Sequence, residues 1–164
     1  MICVIGCGNL ARSDDGVGCV VAQSLLRRLR EEPRSGVRVF DAGTGGMDVM
    51  FQARAARRLI IVDASRSGSE PGTIFQVPGA ELEAERAPTF TLHDFRWQHA
   101  LAAGRQIFAA DFPSDVTVFL VEARSVDFGL GLSDPVAAAA QRVAAEILAL
   151  IDDVAPCAAD DGAV

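Results

Sequence analysis

The sequence predicts an α/β domain: a three-layer sandwich with a mostly parallel, twisted sheet of about five strands and helices on both faces. Three observations predict it. Short, continuously apolar runs of the kind that form strands buried on both faces alternate with amphipathic stretches of helical period. Acidic residues fall where several of those runs end, at what would be one edge of a parallel sheet. The length of 164 residues suits one domain that buries roughly two-thirds of its unfolded surface.

Ile2-Cys3-Val4-Ile5-Gly6 opens the chain as a buried strand, followed by loop residues to about Asp15. From Val17 to about Arg30, apolar Val17, Val21 and Leu25 recur every four residues with Val20 and Leu29 beside them, while arginines fill the other face of a helix. Val37 to Asp41 reads as a second strand, Ala42 to Gly46 as a glycine-rich turn, and Met47 to Ala56 as a weaker helix. Leu59-Ile60-Ile61-Val62-Asp63 is the strongest strand signal. After the turn cluster Ser67 to Gly72, Thr73 to Val77 reads as an extra edge strand. Thr91, three residues before Asp94, caps a helix reaching about Ala103, and Val116 to Val121 forms another strand. Ser133-Asp134-Pro135 opens a last helix whose apolar stripe is Val136, Ala140, Val143, Ile147 and Ile151. Residues 1–154 thus read as one α/β domain, with 155–164 a frayed tail.

Composition narrows the function. Half of the residues are hydrophobic and 23% are charged, which sets aside disordered and fibrous classes. A net charge of -7 has the wrong sign for binding phosphates by counterion release, so nucleic acid and anionic membrane are poor partners. No window reaches ~18 uninterrupted apolar residues, and the opening residues lack a basic leader, so a cytoplasmic protein is expected. The four cysteines form no C-x-x-C pair and read as reduced, mostly buried thiols.

The chemistry points to the strand ends. Asp14 and Asp15 follow the first strand, Asp41 ends the second and Asp63 the third. Carboxylates gathered on one edge need a metal ion, an arginine or protons to offset their repulsion. His93 lies in the first turn of the helix that Thr91 opens, where the helix N-terminus disfavours the imidazolium and keeps the ring able to ligate. His99, six residues on, lies on another face. A mixed set of Asp15, Asp63 and His93 suits a borderline ion such as nickel or zinc. Each of these residues also has a plain structural use: a strand-ending Asp caps helices and turns, and a lone His more often packs than ligates.

The opening Ile5-Gly6-Cys7-Gly8-Asn9-Leu10, continued by Ser13-Asp14-Asp15-Gly16-Val17-Gly18, resembles the first motif of the [NiFe]-hydrogenase maturation endopeptidases. Asp41-Ala42-Gly43-Thr44, then Ile60-Ile61-Val62-Asp63-Ala64 with Pro71-Gly72-Thr73, then His93 and the Leu132-Ser133 helix start, follow in the same order. The resemblance runs from Met1 to about Ile151. It implies a cytoplasmic endopeptidase that removes a short C-terminal extension from a [NiFe]-hydrogenase large-subunit precursor after nickel insertion. It also implies that Asp15, Asp63 and His93 are the catalytic and metal-contacting residues, with Gly8, Asn9, Asp14, Asp41, Gly43 and Thr44 supporting the cleft. The nickel would come from the substrate, and no organic cofactor is implied. Where many members of the family carry Glu, this chain has the shorter Asp15.

Two other readings compete. A nickel-sensing or chaperone protein on the same scaffold would share all these residues without hydrolysing anything. A dinucleotide-binding oxidoreductase is suggested by Gly6-Cys7-Gly8-Asn9-Leu10-Ala11 after a strand. Against it, Arg12 to Asp15 intervene before the helix, Asp14 and Asp15 would repel a pyrophosphate, and Asp41 lies beyond the ~20-residue spacing of the ribose-binding acid.

Overall fold

Each apolar run of the sequence becomes a strand. The computed structural model describes residues 1–84 and 97–153. In chain order the main elements are β1 (Ile2–Cys7), α1 (Val17–Glu31), β2 (Val37–Gly43), α2 (Gly46–Ala53), β3 (Arg58–Ser65), β4 (Ile74–Pro78), α3 (Gly79–Ala84), α4 (Trp97–Phe108), β5 (Asp115–Glu122) and α5 (Asp134–Asp153). The strands form one sheet in the order β2-β1-β3-β5-β4. All neighbours are parallel except β4, which pairs antiparallel with β5 at the edge. The predicted architecture is the one observed.

Alternate strand residues feed two cores. Ile2 and Val4 of β1, Ile60 and Val62 of β3, and Phe119 and Val121 of β5 pack against α1 and α5. The other face, Cys3, Ile5 and Cys7 with Leu59 and Ile61, packs against α2 and α4. Because both faces are covered, these strands show no polar alternation, and this explains their continuous apolar runs. The stripes predicted for α1 and α5 are the buried faces of those helices, down to Val17, Val21, Leu25, Val143 and Ile147. Fully burying one such aliphatic side chain contributes about 1.5–3 kcal/mol.

Differences from expectation are local. Helix α2 stops at Ala53 rather than Ala56, because Arg54 turns to an extended ψ of 139° and Ala55 then takes a left-handed φ of 62°. Helix α4 continues past Ala103 to Phe108, with Gly104 admitting the Phe112 ring so closely that a Cβ there would lie 2.2 Å from it. The short helix α3 has too few residues to show a period. The loop after β1 contains a 3-10 turn, Ser13–Gly16. The cap at Thr91, His93, Cys157 and the tail from residue 155 lie outside the described residues. Cys3, Cys7 and Cys19 are buried free thiols. Among the described residues no helix is long and apolar enough to cross a membrane.

Candidate functional site at the carboxyl edge of the sheet

From β1 the chain turns to α1 on one face of the sheet, whereas β3 is followed by elements that cover the other face. The carboxyl ends of β1 and β3 therefore flank a topological switch point, the crevice where open α/β sheets bind ligands. Asp15 enters it from the 3-10 turn after β1, and Asp63 from β3 itself, where it pairs with Leu120. The 3-10 turn packs against β3. Gly18, three residues after Asp15, lies so close to the backbone of Val62 that a Cβ there would be 2.2 Å from the Val62 carbonyl oxygen. The spacing Asp15-x-x-Gly18 thus seats the start of α1 directly against the residue preceding Asp63.

The Asp15 side chain folds back over the end of β1. Its Oδ2 accepts the Asn9 N–H at 3.0 Å, while Asn9 Oδ1 accepts the Ala11 N–H at 2.9 Å. Gly8 makes this turn possible: its φ is 131°, and a Cβ would sit 1.8 Å from the Asp15 carbonyl oxygen. The glycines of the opening motif are therefore explained by close approach of backbones. Asp63 is half-buried. Its Oδ1 accepts the Ala64 N–H at 2.9 Å and its Oδ2 accepts the indole N–H of Trp97 at 2.8 Å. Trp97, only 3% exposed, was not singled out as a functional residue from the sequence.

The remaining acidic residues have other tasks. Asp14, adjacent to Asp15, is buried at 1% exposure and faces inward. It accepts the N–H groups of Arg124, Ser125 and Ser133 and the Ser133 hydroxyl, at 2.6 to 3.2 Å. Burial alone would raise its pKa, but these donors, led by Ser133, hold it below the ordinary aspartate value. Asp41 pairs with Gly6 and belongs to the α1 side of the sheet, where Gln23 Nε2 donates to it at 2.8 Å and the Gly43 N–H at 3.1 Å. Its burial is outweighed by hydrogen bonds from Cys19, Gln23 and Gly43, which lower its pKa. Gly8 N–H donates to the Gly43 carbonyl at 2.9 Å, tying the ends of β1 and β2, and Thr44 is exposed beyond them. Of the four predicted strand-end carboxylates, the structure leaves Asp15 and Asp63 at the β1/β3 crevice and commits Asp14 and Asp41 to supporting contacts.

Glu122, at the end of β5, belongs to the same edge and was not anticipated. It is 2% exposed and accepts the Ser67 and Gly68 N–H groups and the Ser65 and Ser67 hydroxyls. These bonds overcome the effect of burial and lower its pKa, fixing the loop that follows β3. The only sequence signal was an acid ending an apolar run.

The thiols at this edge are not nucleophiles. Burial, reinforced by Asp63, Cys19 and Asp41, pushes the Cys7 pKa well above its usual value. Burial and Asp41 push that of Cys19 up to about 12. Neither is therefore a ready thiolate nucleophile at neutral pH. Among the described residues no group of three His, Cys, Asp or Glu is arranged to hold a metal ion. Asp15 and Asp63 offer hard anionic oxygens for two positions, and the third predicted ligand, His93, lies outside the described residues.

A family model described as hydrogenase maturation protease matches residues 19–150. The chain belongs to the hydrogenase maturation protease family. Membership places it among peptide-bond hydrolases, and it argues against the dinucleotide reading, as does the helix starting only at Val17, well beyond Gly6 to Ala11. Within the family the chain is 35% identical over 153 residues to the hydrogenase expression/formation protein HoxM of Azotobacter vinelandii, covering 90% of this chain and 72% of that protein. It is 28% identical to the hydrogenase 2 maturation protease of Escherichia coli, covering 92% and 90%. The solved structure of the hydrogenase maturating endopeptidase HybD from E. coli superposes with a TM-score of 0.77 at 26% identity, covering 93% of this chain and 92% of that one.

Proposed function

We propose that this protein removes a C-terminal extension from a [NiFe]-hydrogenase large-subunit precursor after nickel has been inserted. What supports the proposal is that Asp15, in the turn after β1, and Asp63, at the end of the neighbouring β3, each stand at this edge of the sheet, held by the Asn9 N–H and by the Trp97 indole N–H. His93 completes the set in this reading. Its place in the set rests on the family resemblance and on the ligand chemistry of a neutral imidazole, since His93 lies outside the described residues.

In the proposed reaction the substrate's nickel is the recognition element. Asp15, Asp63 and His93 fill its open coordination positions, so only a loaded precursor is held with its scissile bond at the crevice. Carboxylate oxygens and a neutral imidazole suit that ion. The attacking water is activated either by the substrate's ion, which would lower its pKa, or by a carboxylate at the site that takes its proton, and that proton later reaches the leaving amine. The reaction takes place in the cytoplasm, where the precursor acquires its metal.

Incubating a nickel-loaded precursor with the wild-type protein and with His93→Ala tests this reading. Shortening by the wild type alone supports it. Equal shortening by both removes His93 from the site, and binding without shortening by either favours the nickel-sensing or chaperone alternative.

A further inference from the structure

The loop joining β5 to α5 is tied down along its length. Asp14 holds the N–H groups of Arg124, Ser125 and Ser133. Gly129 accepts the Ser13 N–H at 2.9 Å and donates to the Ala11 carbonyl at 3.0 Å, and Arg12 Nε donates to the Val126 carbonyl at 2.9 Å. The Arg12 guanidinium lies 5.2 Å over the Phe128 ring. On this frame Phe128 is 86% exposed and Leu130 is 89% exposed, and Leu10, two residues before Arg12, is 41% exposed. A loop free to rearrange would turn such side chains away from water. Large apolar side chains displayed on a fixed backbone are the usual mark of a protein-binding surface, because little conformational entropy remains to be lost on docking.

We propose that Leu10, Phe128 and Leu130 form the surface on which the protein substrate docks, receiving an apolar patch of the folded precursor beside its scissile tail. This proposal rests on the proposed endopeptidase reading. Its occupant follows from continuity with the crevice: Leu10 adjoins Asn9, whose N–H holds Asp15, and the loop is anchored through Asp14. A folded body seated here keeps its tail within reach of Asp15 and Asp63. Ile107, 63% exposed, lacks that relation: it lies in the last turn of α4, at the end of the helix remote from Trp97 and Asp63. The surface supplies affinity and choice of partner, and the crevice supplies the chemistry.

Steady-state processing of a nickel-loaded full-length precursor by wild type, Phe128→Ser/Leu130→Ser, Leu130→Ser and Ile107→Ser tests this. The double variant is expected to raise KM at least tenfold with kcat near that of the wild type, and Leu130→Ser, which leaves the Arg12–Phe128 stack in place, to raise it at least threefold. Ile107→Ser is expected to match the wild type, and circular dichroism to show all variants folded. An unchanged KM in the double variant overturns the docking surface while leaving the reaction intact. A wild-type dimer that the double variant breaks to monomer without a change in KM assigns the patch to self-association and overturns the proposal as well. No processing by the wild type removes the endopeptidase reading and the docking surface with it.

Discussion

The indole N–H of Trp97 donates a 2.8 Å hydrogen bond to Oδ2 of Asp63, joining the first described turn of α4 to the carboxyl end of β3. This bond fixes one oxygen of the carboxylate, and the Ala64 N–H holds the other. Trp97→Phe keeps the buried ring and removes the donor. Processing is expected to slow by about tenfold, the usual effect of removing a group that orients a ligand. The melting temperature should fall by a few degrees, and steady-state kinetics beside a thermal melt checks both.

Asp15→Asn and Asp63→Asn keep the size and one acceptor oxygen of each side chain, so the Asn9 N–H and the Trp97 indole can still be satisfied. Asp15→Asn should change stability by about 1 kcal/mol or less, and Asp63→Asn should cost about 1–2 kcal/mol, because its NH2 group would face the Ala64 N–H. Precursor processing should be lost, because an amide neither ligates as an anion nor takes a proton. A folded protein with no shortened product on a gel is the expected pair of results. Asp63→Ala should cost more stability, about 1–3 kcal/mol, because it orphans the buried indole N–H.

Asp14 and Glu122 give the fold an acid limit. Both have folded-state pKa values below their ordinary ones, set by the donors of Ser133, Arg124 and Ser125 and of the residue 65–68 loop respectively. Unfolded Asp and Glu titrate near roughly 3.9 and 4.3. The stabilisation from these two groups is therefore full above those values and is lost as pH falls through the lower folded-state values. Denaturant melts from pH 6 to 2 should show a steep loss below about pH 4. Asp14→Asn should be less stable by about 2 kcal/mol at pH 7, since its amide N–H would face donors, and its pH dependence should be shallower.

Cys7→Ala separates the carboxylate site from a thiol mechanism. The Cys7 pKa is raised by burial first and by Asp63 next, so little thiolate exists at pH 7. Processing should persist in Cys7→Ala, with a stability cost of about 1 kcal/mol for the small cavity. Iodoacetamide at pH 7 should leave wild-type activity intact.

The strands, the buried stripes of α1 and α5 and the edge on which Asp15 and Asp63 stand were legible because apolar runs and period 3.6 report burial directly. Asp14 and Asp15 were not separable: identical neighbours in the sequence, they diverge only because the 3-10 turn sends one inward to Ser133 and the other to Asn9. The pairing of Arg12 with Gly129 joins segments more than a hundred residues apart and leaves no local pattern. Trp97 was hidden for a related reason: an aromatic at helical spacing reads as core, and its bond to Asp63 appears only once α4 is laid against β3. Glu122 carries the same signal as Asp41 and Asp63, an acid ending an apolar run, and only its bonds to Ser65, Ser67 and Gly68 show that it serves the loop after β3.

The most direct measurement is the intact mass of a hydrogenase large-subunit precursor incubated with this protein, with and without nickel loading. Loss of a C-terminal peptide from the loaded form alone is the predicted result. Equal cleavage of the nickel-free precursor would contradict the account, since Asp15, Asp63 and His93 would then not be reading the metal.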